Sequence, residues 1–233
     1  MKKILALVAL TLSLGFSLNA QSKEFKPQLF IGAGGGMIFS TVDFQPKVLQ
    51  TQQRGVSGGF SVKYISEKHL GLIGEINYTQ RGWKEQFEDN ADFAYNRRLN
   101  YLEMPLMTHI YMGRAVRFII NVGPQIGFLL GNSADMSPAL SAKMAEAESA
   151  AATDEAKKQV GPQYKEIQKK FDYGIIGGLG LEFNTGIGAF NLEGRYYFGL
   201  GDMFDTSIAN KDPFSRAANR VIYGKLTYYF PFK

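Results

Sequence analysis

The stretch Tyr101–Gly131, YLEMPLMTHIYMGRAVRFIINVGPQIGFLLG, decides the fold. In its second half Phe118, Ile120, Val122, Ile126, Phe128 and Leu130 share one parity. Arg117, Asn121 and Gln125 hold the other, together with Ile119, Gly123, Gly127 and Leu129. A period of two marks a strand with one apolar and one mixed face. The halves meet at Met112–Ala115, which reads as a tight turn. Each arm is far longer than the usual strand of about five or six residues. Long alternating strands joined by a short turn are the repeating unit of a transmembrane β-barrel, where a strand needs about 9–11 residues to cross.

The alternation recurs on both sides of this hairpin. Gln28–Phe39 is a glycine-rich candidate, with glycines at 32, 34, 35 and 36 that let a small barrel bend and accept neighbouring rings. Gly55–Tyr64 sets Val56, Phe60, Val62 and Tyr64 against Ser57, Ser61 and Lys63. Leu70–Gly82 sets Leu72, Ile76 and Tyr78 against Glu75, Asn77, Thr79 and Arg81. In the first arm of the hairpin Leu102, Met104, Leu106 and Ile110 oppose Glu103 and His109. Phe171–Asn184 opposes Tyr173, Ile175, Leu179, Leu181 and Phe183 to Asp172 and Glu182. Then Phe190, Leu192, Tyr196 and Phe198 oppose Asn191, Glu193 and Arg195. Finally, in Arg220–Phe232, Ile222, Leu226, Tyr228 and Phe230 oppose Lys225 and Thr227. With the two arms of the hairpin this makes eight strands, the size of a minimal barrel.

The links alternate in length. Ser66–His69, Met112–Ala115 and Thr185–Gly188 are tight; Phe39–Arg54, Trp83–Arg98, Asn132–Lys170 and Gly199–Asn219 are long. Outer-membrane barrels sort their connections this way, with brief periplasmic turns and longer extracellular loops. The third long link, 133–170, holds a run at Pro138–Lys170 rich in Ala, Glu, Lys and Gln, strong helix formers. Gly161-Pro162 should break it. Its apolar residues are sparse, so it reads as an exposed helical insertion in the third extracellular loop, a solvated cap or a docking surface.

Residues 1–20 carry a secretory signal: Met1-Lys2-Lys3, an apolar run Ile4–Leu18, and the small-residue site ending at Ala20. The mature barrel domain is then 21–233, exported through the inner membrane to the outer one. No later run approaches the roughly 18 apolar residues of a transmembrane helix. There is no Cys, hence no disulfide framework and no thiol chemistry. Net charge is +5, or +3 without Lys2 and Lys3 (24 bases against 21 acids), too mild and scattered for a nucleic-acid partner.

The two faces set the class. An apolar face turned inward would make a soluble lipocalin-like carrier. The charged parity argues otherwise, being sparse and balanced: Lys63, Arg81, Arg117, Arg195 and Lys225 against Glu75, Glu103, Asp172, Glu182 and Glu193. Such charges belong in a closed lumen where pairing offsets desolvation. An eight-stranded barrel has room inside only for side chains, so the lumen is expected to be plugged. Tyr64, Tyr78, Trp83, Tyr196, Phe198, Tyr228 and Tyr229 fall near strand ends, where interfacial rings sit. Pro105 and Pro124 are the misfits, since a closed barrel has no edge strand for them; they predict a local bulge.

The blocks Tyr101-Leu102-Glu103-Met104-Pro105-Leu106 and Asn121-Val122-Gly123-Pro124-Gln125-Ile126-Gly127-Phe128 resemble the PorT-like family of small outer-membrane β-barrels. So do Phe171-Asp172-Tyr173-Gly174, Gly178-Leu179-Gly180-Leu181-Glu182 and Gly194-Arg195-Tyr196-Tyr197-Phe198-Gly199-Leu200. The resemblance implies an integral outer-membrane protein of porin-family type. The founding member is associated with a secretion apparatus. The insertion at Pro138–Lys170 is longer than usual, so loop function does not carry over.

Chemistry is thin. Gly32–Gly36 and Gly174–Gly180 lie within strand patterns with no helix behind them and do not read as phosphate loops. The two histidines, His69 and His109, fall near the short links, the wrong end for outer-leaflet lipid chemistry. Asp202, Asp205, Asn210 and Asp212 could hold calcium but read more simply as solvated. The expectation is therefore a barrel that is not an enzyme and has no cofactor or metal. Its partners are membrane lipid and a second envelope or secretion protein. A narrow diffusion pore is the alternative, and a lipid-modifying enzyme a weaker one.

Overall fold

Side chains that alternate in polarity leave the backbone extended, and the strands run on until that alternation stops. The computed structural model describes residues 25–88, 92–152, 160–204 and 214–232. Its strands are β1 (Gln28–Gln45), the two-residue β2 (Gln50–Thr51), β3 (Gln53–Glu67), β4 (Leu70–Glu85), β5 (Tyr95–Gly113), β6 (Val116–Met136), β7 (Phe171–Thr185), β8 (Gly188–Asp202) and β9 (Arg216–Phe232). Leaving β2 aside, eight long strands pair antiparallel in the order β4-β3-β1-β9-β8-β7-β6-β5, and β4 pairs again with β5. The ring is closed, so there is no edge strand: this is an all-β, eight-stranded antiparallel transmembrane β-barrel. Among the described residues no helix is long and apolar enough to cross a membrane.

Most strands outrun their sequence boundaries, chiefly at the end of the long connections, although β3 also runs on to Glu67 at a tight turn. β1 continues to Gln45, β5 begins at Tyr95, and β6 reaches Met136. There the chain turns polar on its outer face while still supplying inward residues such as Val42, Phe44, Tyr95 and Leu99. At the other end the turns are as tight as expected. His69 adopts a left-handed φ of 76° and is locked by Tyr111, whose N–H donates to the His69 carbonyl at 3.1 Å.

The expected bulge at the prolines is not there. On β5–β6 the register is the same at Pro105↔Gln125 and at Thr108↔Val122; the shift lies instead between Asn100 and Tyr101. The β4–β5 register is likewise unchanged from Gly74↔Leu106 to Asn77↔Glu103. Each ladder omits two pairs there. A proline lacks the donor, but the strand keeps its phase by giving up local hydrogen bonds and inserting no residue.

Two glycines show how closely the wall is drawn. A Cβ on Gly36 would lie 1.9 Å from the Gly224 carbonyl oxygen, and one on Gly32 would lie 2.7 Å from the Tyr229 ring. The helical insertion holds α1 (Pro138–Ala150), capped by Ser137 and with proline in its first turn. A 3-10 turn, Pro162–Tyr164, follows Gly161, whose φ of 50° only glycine adopts freely. The insertion is less exposed than its composition suggests. Leu140 and Ile167 are buried, and Met144 and Tyr164 pack beside them.

Candidate functional site: the lumen and its cap

Every strand turns one parity outward. Phe60, Ile76, Leu106, Val122, Leu130, Ile175, Leu179, Leu192, Leu226 and Phe230 are each at least 37% exposed, a continuous apolar wall. The inward parity carries the charges. Lys63, Glu75, Arg81, Glu103, Asp172, Glu182, Glu193, Arg195 and Lys225 are buried, while Arg117 is 25% exposed.

Three networks use all ten. Nearest the tight turns, Glu182 bridges Lys63 and Arg117, the latter at 2.9 Å. His109 lies beside this group, its Nδ1 2.7 Å from Asn121 Oδ1. Asn121 also donates to Glu193, which joins the second network. There Glu75 takes both terminal nitrogens of Arg195 at 2.9 Å and the Lys225 ammonium at 2.7 Å. Arg195 is shared with Glu193 at 2.6 Å. In the third network Arg81 bonds Glu103, and Asp172 at 2.7 Å; Tyr223 donates to Glu103 at 3.0 Å and Asn219 to Asp172 at 3.1 Å. Two rings clasp the Arg81 guanidinium, Tyr197 at 4.5 Å and Tyr101 at 4.9 Å. Each buried charge faces an opposite one, the condition under which burial is sustained.

Above the third network the lumen is closed by an apolar cap. Val42, Phe44, Trp83, Tyr95, Leu99, Tyr101, Leu129, Met203, Phe204 and Phe214 pack with Leu140 and Ile167 from the third long connection. Arg97 fastens that connection down. Its guanidinium donates to the carbonyl of Lys165, to that of Tyr164 at 3.4 Å, and to Asn132 Oδ1 at 2.7 Å. Burial pushes the Tyr164 phenol up, so it stays protonated beside Glu85. Arg97 is not among the expected lumen residues, because the alternation that defines them begins at Tyr101. Its signal was present: Tyr95, Arg97, Leu99 and Tyr101 share one parity.

Among the rings assigned to the interfaces, Tyr64, Tyr78, Tyr196 and Phe198 face outward and Tyr228 is half-buried. Two do not belong with them. Trp83 is fully buried in the cap, edge-on to Phe44 at 5.3 Å. Tyr229 is fully buried in the lumen, 4.1 Å from the Lys63 ammonium. Nearness to a strand end suggested the interface, but parity governs: Trp83 is in phase with Arg81, and Tyr229 with Lys225 and Thr227. The histidine rings have local partners, His69 Nδ1 lying 2.9 Å from the Tyr111 carbonyl. Among the described residues no His, Cys, Asp and Glu cluster could hold a metal. Asp202 accepts from the Ala217 N–H at 2.8 Å; Asp205, Asn210 and Asp212 lie outside the described residues, as does the segment 1–20.

A ring with no edges, an apolar exterior and ion-paired contents defines a small membrane-spanning barrel of the outer-membrane class. The sequence matches the family model "Outer membrane protein beta-barrel domain" over residues 19–205, and the chain belongs to that family. No curated protein matches it. Similar solved structures include Ail, the attachment invasion locus protein of Yersinia pestis (15% identity, covering 88% of this chain and 100% of that one, TM-score 0.42). They include OprG of Pseudomonas aeruginosa (11% identity, 88% and 93% coverage, TM-score 0.48) and the outer membrane enzyme PagL (11% identity, 86% and 99% coverage, TM-score 0.37).

Proposed function

We propose that this protein is a structural or assembly component of the outer membrane that works through contact with a second envelope or secretion protein and conducts no solute. The observation that carries this reading is the filled lumen: three ion networks in succession and an aromatic cap at one mouth. Water could pass only by displacing buried charges from their partners. The PorT-like resemblance supports the same role, since the founder of that family is associated with secretion. In this reading the tight turns face the periplasm, the capped mouth faces outward, and residues 1–20 are removed on export.

His69 is held by backbone and His109 by Asn121, so neither ring is paired with a serine or threonine hydroxyl among its described contacts. Planar-bilayer recording of purified protein tests the sealed lumen: a flat baseline is expected, and steady openings would overturn it. Affinity isolation from native membranes tests the role, with a stoichiometric envelope protein as the expected result. Isolation of the barrel alone under conditions that preserve known envelope complexes would count against it. Amino-terminal sequencing of the mature chain should begin at Gln21.

A further inference from the structure

On the outer wall, at the end of the long connections, β1, β8, β9 and the segment 46–52 enclose a groove of about 730 Å³. Part of it is greasy: Phe39, Tyr196 and Ile222 line it, and Tyr196 and Ile222 belong to the exposed apolar wall. Its polar part holds Lys47, Asp43 and Arg220. Arg220 is held rigidly. It donates to the carbonyls of Gly199 and Asn219 at 2.8 and 2.9 Å, pairs with Asp43 at 2.8 Å, and lies 3.8 Å over the Phe198 ring. Arg216 reaches the same Asp43 oxygen at 3.2 Å and remains 33% exposed. Two guanidiniums therefore meet on one carboxylate, with Lys47 lining the same groove. They stand where the outward face of β9 changes from Ile222 to Arg220, the boundary between hydrocarbon and water.

We propose that this groove binds an anionic phosphorylated membrane lipid, its phosphate held by Arg216 and Arg220 and its acyl chain laid over Phe39, Tyr196 and Ile222. Charge complementarity selects the head, because guanidinium forks match phosphate oxygens in planar, charge-assisted pairs. Continuity of the floor with the lipid-facing wall selects a bilayer amphiphile over a soluble anion. Asp43 occupies the cationic site when no lipid is bound, so it acts as the competitor. The inference rests on the membrane placement of the barrel and not on the sealed lumen.

Native mass spectrometry of the purified protein in non-ionic detergent tests it, with phosphatidylglycerol, diacylglycerol and inorganic phosphate added separately. Phosphatidylglycerol should be retained about tenfold more strongly than diacylglycerol, which has the same acyl chains and no phosphate, on the order of one charge-assisted contact. Arg216→Gln should weaken its retention by a similar factor, and Asp43→Asn should strengthen it. Equal retention of the two lipids would overturn the proposal, as would variants that bind like the parent. Displacement of the lipid by inorganic phosphate at comparable concentration would overturn it too, since the acyl floor would then contribute nothing. Heat-modifiable gel mobility reports the folded fraction of each variant. If Arg216→Gln fails to fold, Asp43→Asn decides, and an unchanged affinity sinks the idea.

Discussion

Glu75 shows what a single side chain does in this lumen. It accepts from Arg195 and Lys225, and Asn77 donates to it at 2.9 Å. Glu75→Gln leaves Lys225 buried beside a neutral amide, while Arg195 keeps only Glu193. The expected loss is about 3–5 kcal/mol of stability, read as a lowered urea midpoint for loss of the compact, heat-modifiable band. Parity in the sequence puts Glu75, Arg195 and Lys225 on one face, but it does not pair them. Glu75 and Arg195 are 120 positions apart and meet only because the ring closes. The same limit explains Trp83 and Tyr229, whose inward phase was legible but was outweighed by their closeness to strand ends.

Among the elements, β1 is tightly constrained. Its Gly36 is pressed against the Gly224 carbonyl, whereas a Cβ on Gly224 itself would meet nothing within 4 Å. Gly36→Ala should therefore abolish most of the compact band, and Gly224→Ala should leave it near the parent level. The glycine run in the sequence announced close approach; only the register Gly36↔Lys225 and Met37↔Gly224 says against what. The prolines teach the opposite lesson. Pro105 and Pro124 looked like a bulge because a missing donor must be accommodated, yet lost hydrogen bonds were enough. At the cap, Arg97 holds the third connection by backbone carbonyls, and its removal frees that connection without touching the ion networks. Arg97→Met should bring protease cleavage between 160 and 170 at least several-fold faster, with the barrel core intact on the gel.

At the scale of the whole molecule the alternation of strands and of link lengths was enough to give an eight-stranded barrel. The cap was not legible, because its residues come from the ends of β1, β4, β5 and β6 and from two of the long connections, and Leu140 and Ile167 look like isolated apolar residues in a polar run. The wall has a simple energetic consequence. An arginine at an outward mid-belt position faces hydrocarbon and costs about 2–4 kcal/mol. Leu179→Arg should accordingly destabilise the folded barrel by that amount, measured against Leu179→Ala in the same urea titration. The central claim is that the apolar parity meets acyl chains while the charged parity is sealed inside. A chain with no cysteine gives a clean background for testing it. Spin labels at Leu179→Cys, Leu192→Cys and Leu226→Cys, in bilayers, should collide freely with oxygen and hardly at all with a water-soluble nickel complex. Nickel accessibility matching that of a label in an aqueous loop would contradict the account.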